Sequence, residues 1–124
     1  MIAPGEIIIK DPGILVGLME RNYAPLLTQI IKYVAKEYGL VMTESYRPKK
    51  HMNDLHGTQP VRAIDARTWL YSNDTLRKLE TDVNSSWVYD PERPQKKVFY
   101  VHDSGQGQHA HIQTHPNTRR RSVV

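Results

Sequence analysis

The chain of 124 residues reads as a single α+β domain, a small antiparallel sheet with two main helices packed on it and a cleft on the sheet. Three observations predict this. Apolar residues recur at helical spacing in two separate stretches, runs of β-formers bounded by turn residues fill much of the remainder, and the length suits one hydrophobic core. No internal repeat, low-complexity tract or linker divides the chain.

Taken in order, three isoleucines bounded by Pro4-Gly5 and Asp11-Pro12-Gly13 predict a short buried strand or extended arm over Glu6 to Lys10. From Asn22 to Tyr38, Leu27, Ile30, Ile31, Val34 and Tyr38 fall at helical spacing, with Asn22 a candidate cap and Gly39 a stop. Leu40 to Arg47 carries β-formers and ends at Pro48, which has no amide proton to continue a ladder. Lys49 to Pro60 is polar and contains Asn53-Asp54 and Gly57, so a loop is expected there before Val61 to Thr68 resumes an extended pattern.

Ser72 and Asn73 offer caps for a second helix, whose buried stripe is Leu76, Leu79 and Val83 and which ends before Trp87. After the proline-rich turn Asp90-Pro91-Glu92-Arg93-Pro94, Lys97 to Asp103 and His109 to Thr114 predict two strands, joined as a hairpin by Ser104-Gly105-Gln106-Gly107. Trp69, Trp87 and Phe99 read as core. Residues 117–124, with Arg119, Arg120 and Arg121 among them, are expected to form a mobile basic tail.

Composition narrows the chemistry. With no cysteine, a metal could be held only by nitrogen and oxygen ligands, which excludes thiolate clusters and zinc ribbons. The formal charge of +4 favours polyanions only modestly. The N-terminal stretch lacks the basic start and long apolar run of an export signal, and no apolar stretch is long enough to span a membrane.

Six histidines bracket the chain: His51 and His56 lie in the first loop, and His102, His109, His111 and His115 near the end. Alternate residues of a strand face the same way at intervals of about 6.6–6.8 Å, so His109, His111, Gln113 and His115 project from one face while Ala110, Ile112 and Thr114 take the other. Such a strand suits a cleft wall whose back packs on the core. Asp65 is the one carboxylate in the otherwise apolar segment Ala63-Ile64-Asp65-Ala66, and a carboxylate in such a place needs a cation or several donors beside it. His56, Asp65 and one of His109 or His111 therefore supply two imidazoles and one carboxylate, leaving a fourth tetrahedral position for water. That is the composition of an open, catalytic zinc site.

From about Glu44 to Gln113 the chain resembles the zinc D-alanyl-D-alanine peptidases and related L-alanyl-D-glutamate endopeptidases of phage endolysins, the LAS metallopeptidases. The resemblance rests on Ser45-Tyr46-Arg47, on His56-Gly57 through Ala63-Ile64-Asp65, and on His109-Ala110-His111. It implies that His56, Asp65 and His111 hold Zn2+, that His109 is catalytic or stabilises an oxyanion, and that Arg47 clamps a substrate carboxylate. Many carboxypeptidases of the group carry a glutamate base three residues before the last zinc histidine; Gln108 stands there, which leaves His109 or Asp103 as the candidate base. Asp103 is also a natural turn cap.

The function expected on this resemblance is peptidoglycan stem-peptide hydrolysis by a phage-encoded enzyme. It would reside in the host cytoplasm before lysis, or in a virion beside virion proteins, and act on the cell wall. A non-catalytic virion or wall-binding module of the same fold is the alternative. A metal-dependent nuclease, suggested by His51, Asn53, His56 and the basic tail, ranks last, and nucleic acid is not an expected partner.

Overall fold

A computed structural model describes residues 2–103, 105 and 107–121. Ser104 and Gln106 of the expected hairpin turn, and the last three residues of the expected tail, lie outside the described residues. The elements run β1 (Ile7–Ile9), α1 (Pro12–Glu20), α2 (Pro25–Tyr38), β2 (Leu40–Glu44), a 3-10 turn (Leu55–Gly57), β3 (Ala63–Arg67), α3 (Asn73–Ser86), β4 (Trp87–Val88), β5 (Phe99–Asp103), β6 (Gln108–Gln113) and β7 (Arg119–Arg120). The class is α+β: a five-stranded sheet in the order β1-β2-β3-β6-β5, a two-stranded ribbon β4-β7, and three helices.

The sheet is mixed, which corrects the expectation of an antiparallel one. β1 pairs parallel to β2, because α1 and α2 intervene and a helical crossover brings the chain back in its original direction. All other pairs in this sheet are antiparallel. β1 forms an edge, so Ile7 and Ile8 are about half exposed, against the expectation of burial.

Helix α1 was not expected. Asp11-Pro12-Gly13 has the composition of a turn, yet here Asp11 is an N-cap whose carboxylate accepts from the Ile14 amide at 3.2 Å, with Pro12 pre-set in the first helical position. Gly17 lets α1 approach the segment just after β2 closely, since a Cβ there would lie 2.8 Å from Ser45 Oγ. Ser45 Oγ in turn donates to the Ile14 carbonyl at 3.0 Å. Helix α2 begins at Pro25 rather than at Asn22, whose carbonyl instead accepts from the Val61 amide at 2.9 Å. It stops at Gly39, where φ is +80° and only glycine is unstrained. In α3 Ser72 caps as expected, accepting from the Thr75 amide at 3.1 Å.

The core lies between the helices and one face of the sheet. Leu27, Ile30 and Val34 of α2 and Leu79 and Val83 of α3 are fully buried. They belong to one apolar cluster with Leu40 and Met42 of β2, Ile64 and Ala66 of β3, Phe99 of β5, and Ala110 and Ile112 of β6. Period-two alternation then turns Asp65, Tyr100, His102, His109 and His111 to the opposite face.

Two further expectations are corrected. Arg119 and Arg120 form β7, paired with Val88 and Trp87, and the Arg121 amide donates to the Ser86 carbonyl at 2.8 Å, so the chain through Arg121 is docked rather than a mobile tail. The Arg120 guanidinium, 5.5 Å from the centre of the Trp87 ring, adds a cation–π contact. Trp69, read as core, is 70% exposed, with the Arg67 guanidinium 5.2 Å from its ring centre, whereas Trp87 and Phe99 are buried as expected.

Candidate metal centre

The face of the sheet opposite the helices forms one wall of a cleft of about 890 Å³, closed on another side by the loop from Arg47 to Thr58. At its centre, β3 and β6 place Asp65 and His111 directly opposite each other in register, and the 3-10 turn delivers His56 from the loop. His56, Asp65 and His111 offer ligand atoms that all lie within 4.8 Å of one another, so the expected three residues do form a group able to hold a metal ion.

The orientation of His56 follows from chemistry. Its Nδ1 lies 2.9 Å from the Ser45 carbonyl oxygen, which can only accept, so Nδ1 carries the proton and the neutral ring presents a bare Nε2. That Nε2 is buried, has no hydrogen-bond partner, and lies 3.3 Å from Asp65 Oδ1. His111 Nδ1 approaches the same oxygen at 2.9 Å. Zinc bonds of about 2.0–2.1 Å in a tetrahedron imply ligand–ligand edges of about 3.3–3.4 Å, which the His56 separation matches, while His111 stands at the shorter distance of a hydrogen bond to the same oxygen. A buried, lone-pair-bearing nitrogen with nothing to accept from is costly in an apo protein, and a cation resolves it. The residues present fit a divalent metal.

Burial opposes ionisation of Asp65, but the hydrogen bond from His111, and the charge that His56 and His111 carry when protonated, outweigh it and hold the carboxyl well below the usual carboxylate range. Asp65 is thus ionised and ready to ligate.

The support around His56 was not foreseen. Asp54, nearly fully buried, caps the 3-10 turn: its carboxylate accepts from the His56 amide at 3.1 Å and the Lys50 amide at 3.0 Å, and pairs with the Arg47 guanidinium. Burial raises its pKa, yet the Lys50 amide, Arg47 and the His56 amide overcome this and leave it below the ordinary value. An aspartate two residues before a histidine is a readable Asx-turn signal. The Ser45 carbonyl leaves no such signal, because every residue has one.

Arg47 lines the cleft, but its guanidinium is engaged by Asp54 and lies 3.5 Å from Glu44, while its amide donates to the His56 carbonyl at 3.2 Å. In this structure it braces the His56 loop, which corrects the expectation of a free carboxylate clamp. Asp103 is corrected as a candidate base. On β5, His102 takes the cleft face, so Asp103 turns outward and accepts from the amides of Gly105 at 2.8 Å and Gly107 at 3.2 Å. Gln108 lies on the face of Ala110 and Ile112, where its side-chain oxygen accepts from Thr68 Oγ1 at 3.1 Å. A glutamate at that position would not point into this cleft either.

His109 does reach the site, its Nε2 4.0 Å from Asp65 Oδ2. His102 stands edge-on to it with ring centres 4.2 Å apart. Burial, and then the positive charge of His109 and His111 when protonated, lower the His102 pKa and favour its neutral form. Tyr100 flanks His111 at 5.0 Å between ring centres.

Searched against protein-family models, curated proteins and solved structures, the chain finds no match in any of the three. Among the described residues no helix is long and apolar enough to cross a membrane.

Proposed function

We propose that the protein is a zinc-dependent peptidase that hydrolyses an amide of a peptidoglycan stem peptide. The observation that carries the reading is the bare, buried Nε2 of His56, aimed at Asp65 beside His111, with its tautomer fixed by the Ser45 carbonyl. Two imidazoles and one carboxylate with an open side toward a cleft form the ligand set of hydrolytic rather than structural zinc. Zinc held there would acidify a water and polarise the scissile carbonyl. Of this chain's own groups, His109 is placed to donate to a developing oxyanion or to relay a proton, with His102 beside it as a neutral acceptor. The resemblance to LAS metallopeptidases supplies the substrate class, and with it action on the cell wall from a lysed host or a virion.

A second reading, a metal-retaining wall-binding module without catalysis, is favoured by Gln108 facing away from the cleft and by the engagement of Glu44 with Arg47. One experiment separates them: metal content and peptidoglycan turbidity, measured on the parent chain and on His56→Ala, Asp65→Ala and His111→Ala. About one zinc per chain, lost with wall lysis in all three variants, supports the peptidase. Zinc without lysis supports the module, and a parent chain that binds no zinc refutes both.

A further inference from the structure

A second cavity, of about 390 Å³, lies against the β4-β7 ribbon and the proline-rich turn, and shares only Tyr89 and Lys96 with the cleft of the metal group. Consecutive residues of an extended strand face opposite ways, so Arg119 and Arg121 line this cavity while Arg120 lies against the Trp87 ring. Lys96 and Lys97, just past the proline-rich turn, bring two more cations to it.

No carboxylate lines the cavity, and among the described residues none of these four cations takes part in a salt bridge. The buried acid of the turn, Asp90, is committed elsewhere, accepting from the Glu92 amide at 3.0 Å, from Arg93 Nε at 2.9 Å and from Asn117 Nδ2 at 3.4 Å. Four like charges around one cavity repel one another, and an anion among them relieves this. A second observation points the same way: Trp87 also lines the cavity, and its buried indole N–H has no acceptor among the described residues.

We infer that this cavity is a binding site for a phosphate group carried by a compact polyol or sugar. The tetrahedral oxygens of a phosphate accept from several directions at once, which suits two guanidinium forks and two ammonium groups better than one planar carboxylate does. A nucleic acid strand needs open aromatic faces on which bases stack, but Trp87 and Tyr89 are buried, and the Trp87 ring is already covered by the edge of Tyr33 at 5.4 Å and by Arg120. Pro91 and Pro94 border the cavity and restrict its backbone, and the hydrogen bonds of Asp90 hold the turn between them, so little ordering is needed on binding. None of the four cations belongs to the metal group, and the inference stands apart from the peptidase reading.

The test follows the indole N–H resonances of the zinc-loaded, nitrogen-15-labelled full chain during titration with glycerol 3-phosphate, with acetate at matched ionic strength, and with a thymidine hexanucleotide. Trp87 lines this cavity and not the metal cleft, so phosphate held by zinc alone leaves its signal in place, and the exposed Trp69 serves as the internal reference. A saturable shift of Trp87 with glycerol phosphate and none with acetate is expected. Lys97→Gln and Arg119→Gln should each weaken the binding by about 5- to 10-fold. Both keep their backbone contacts, the Lys97 carbonyl with Gln113 and the pairing of Arg119 with Val88, so folding is preserved. Arg120→Gln removes the same charge outside the cavity and should leave the affinity within about 2-fold of the parent, as expected for an exposed charge. No saturable shift, an equal response to acetate, or a loss in Arg120→Gln as large as in Arg119→Gln would overturn the site. Tighter binding of the hexanucleotide than of glycerol phosphate would overturn the ligand class.

Discussion

Replacing Asp54 by asparagine probes whether the loop that carries His56 is held for metal binding. The native carboxylate accepts two backbone amides, those of His56 at 3.1 Å and Lys50 at 3.0 Å, and pairs with Arg47. Asparagine can offer its oxygen to the His56 amide, but its NH2 group must then face the Lys50 amide and the Arg47 guanidinium, donor against donor. Two charge-assisted hydrogen bonds are lost at about 1.5–3 kcal/mol each, and because the loop borders an open cleft, water replaces part of that. A loss near the lower end, about 3 kcal/mol, is expected in urea unfolding of the apo chain. The support lost by His56 should also weaken zinc affinity by about 10- to 100-fold in a chelator competition titration. Glu44→Gln is the control: Glu44 meets Arg47 only at 3.5 Å and is more exposed, so it should change stability by no more than about 1 kcal/mol. An Asp54→Asn variant that binds zinc as tightly as its parent would falsify the claim that this carboxylate positions His56.

Three other outcomes are expected. At Gly57→Ala the new Cβ would lie 2.7 Å from the Lys49 nitrogen and 2.9 Å from the Arg47 oxygen, both backbone atoms, so thermal unfolding should reveal a loss of about 1–3 kcal/mol, with weaker zinc binding because His56 is adjacent. Tyr33 donates to Asp82 at 2.7 Å, and this bond, aided by burial and the Asp82 charge, raises its pKa from 10.0 to about 12. A phenol whose folded pKa is raised adds stability that is whole below the unfolded value and fades as pH climbs through the folded one. Stability should therefore fall between about pH 10 and 12; in Asp82→Asn the phenolate absorbance of Tyr33 should appear at lower pH, and an unchanged titration would refute the assignment. Ser72→Ala removes the acceptor for the Thr75 amide and should lower stability by about 1 kcal/mol in chemical denaturation, whereas a neutral result would mean that α3 does not depend on this cap.

Much of this molecule is legible in its sequence because the determining interactions are local. The apolar spacing of Leu27, Ile30 and Val34, the Gly39 stop, the Ser72 cap and the alternation of Ala110 and Ile112 with His109 and His111 each reflect neighbours within a few residues, and each is realised. The lone carboxylate among apolar neighbours pointed to Asp65 by the same logic, since the cost of burying a charge applies wherever the strand lies. Asp11-Pro12-Gly13 misled because the same residues that make turns also start helices, and only the chain that follows chooses between them. What the tertiary structure alone decided are the pairings between distant segments. They include the parallel docking of β1 on β2, the capture of Arg119 and Arg120 by β4, the carbonyl of Ser45 that turns His56 toward Asp65, and the pairing of Arg47 with Asp54. The strand pairings join residues more than thirty positions apart and the side-chain contacts are set by how loops fold back, and periodicity, which records only which way a side chain faces, carries no information about what will stand in front of it.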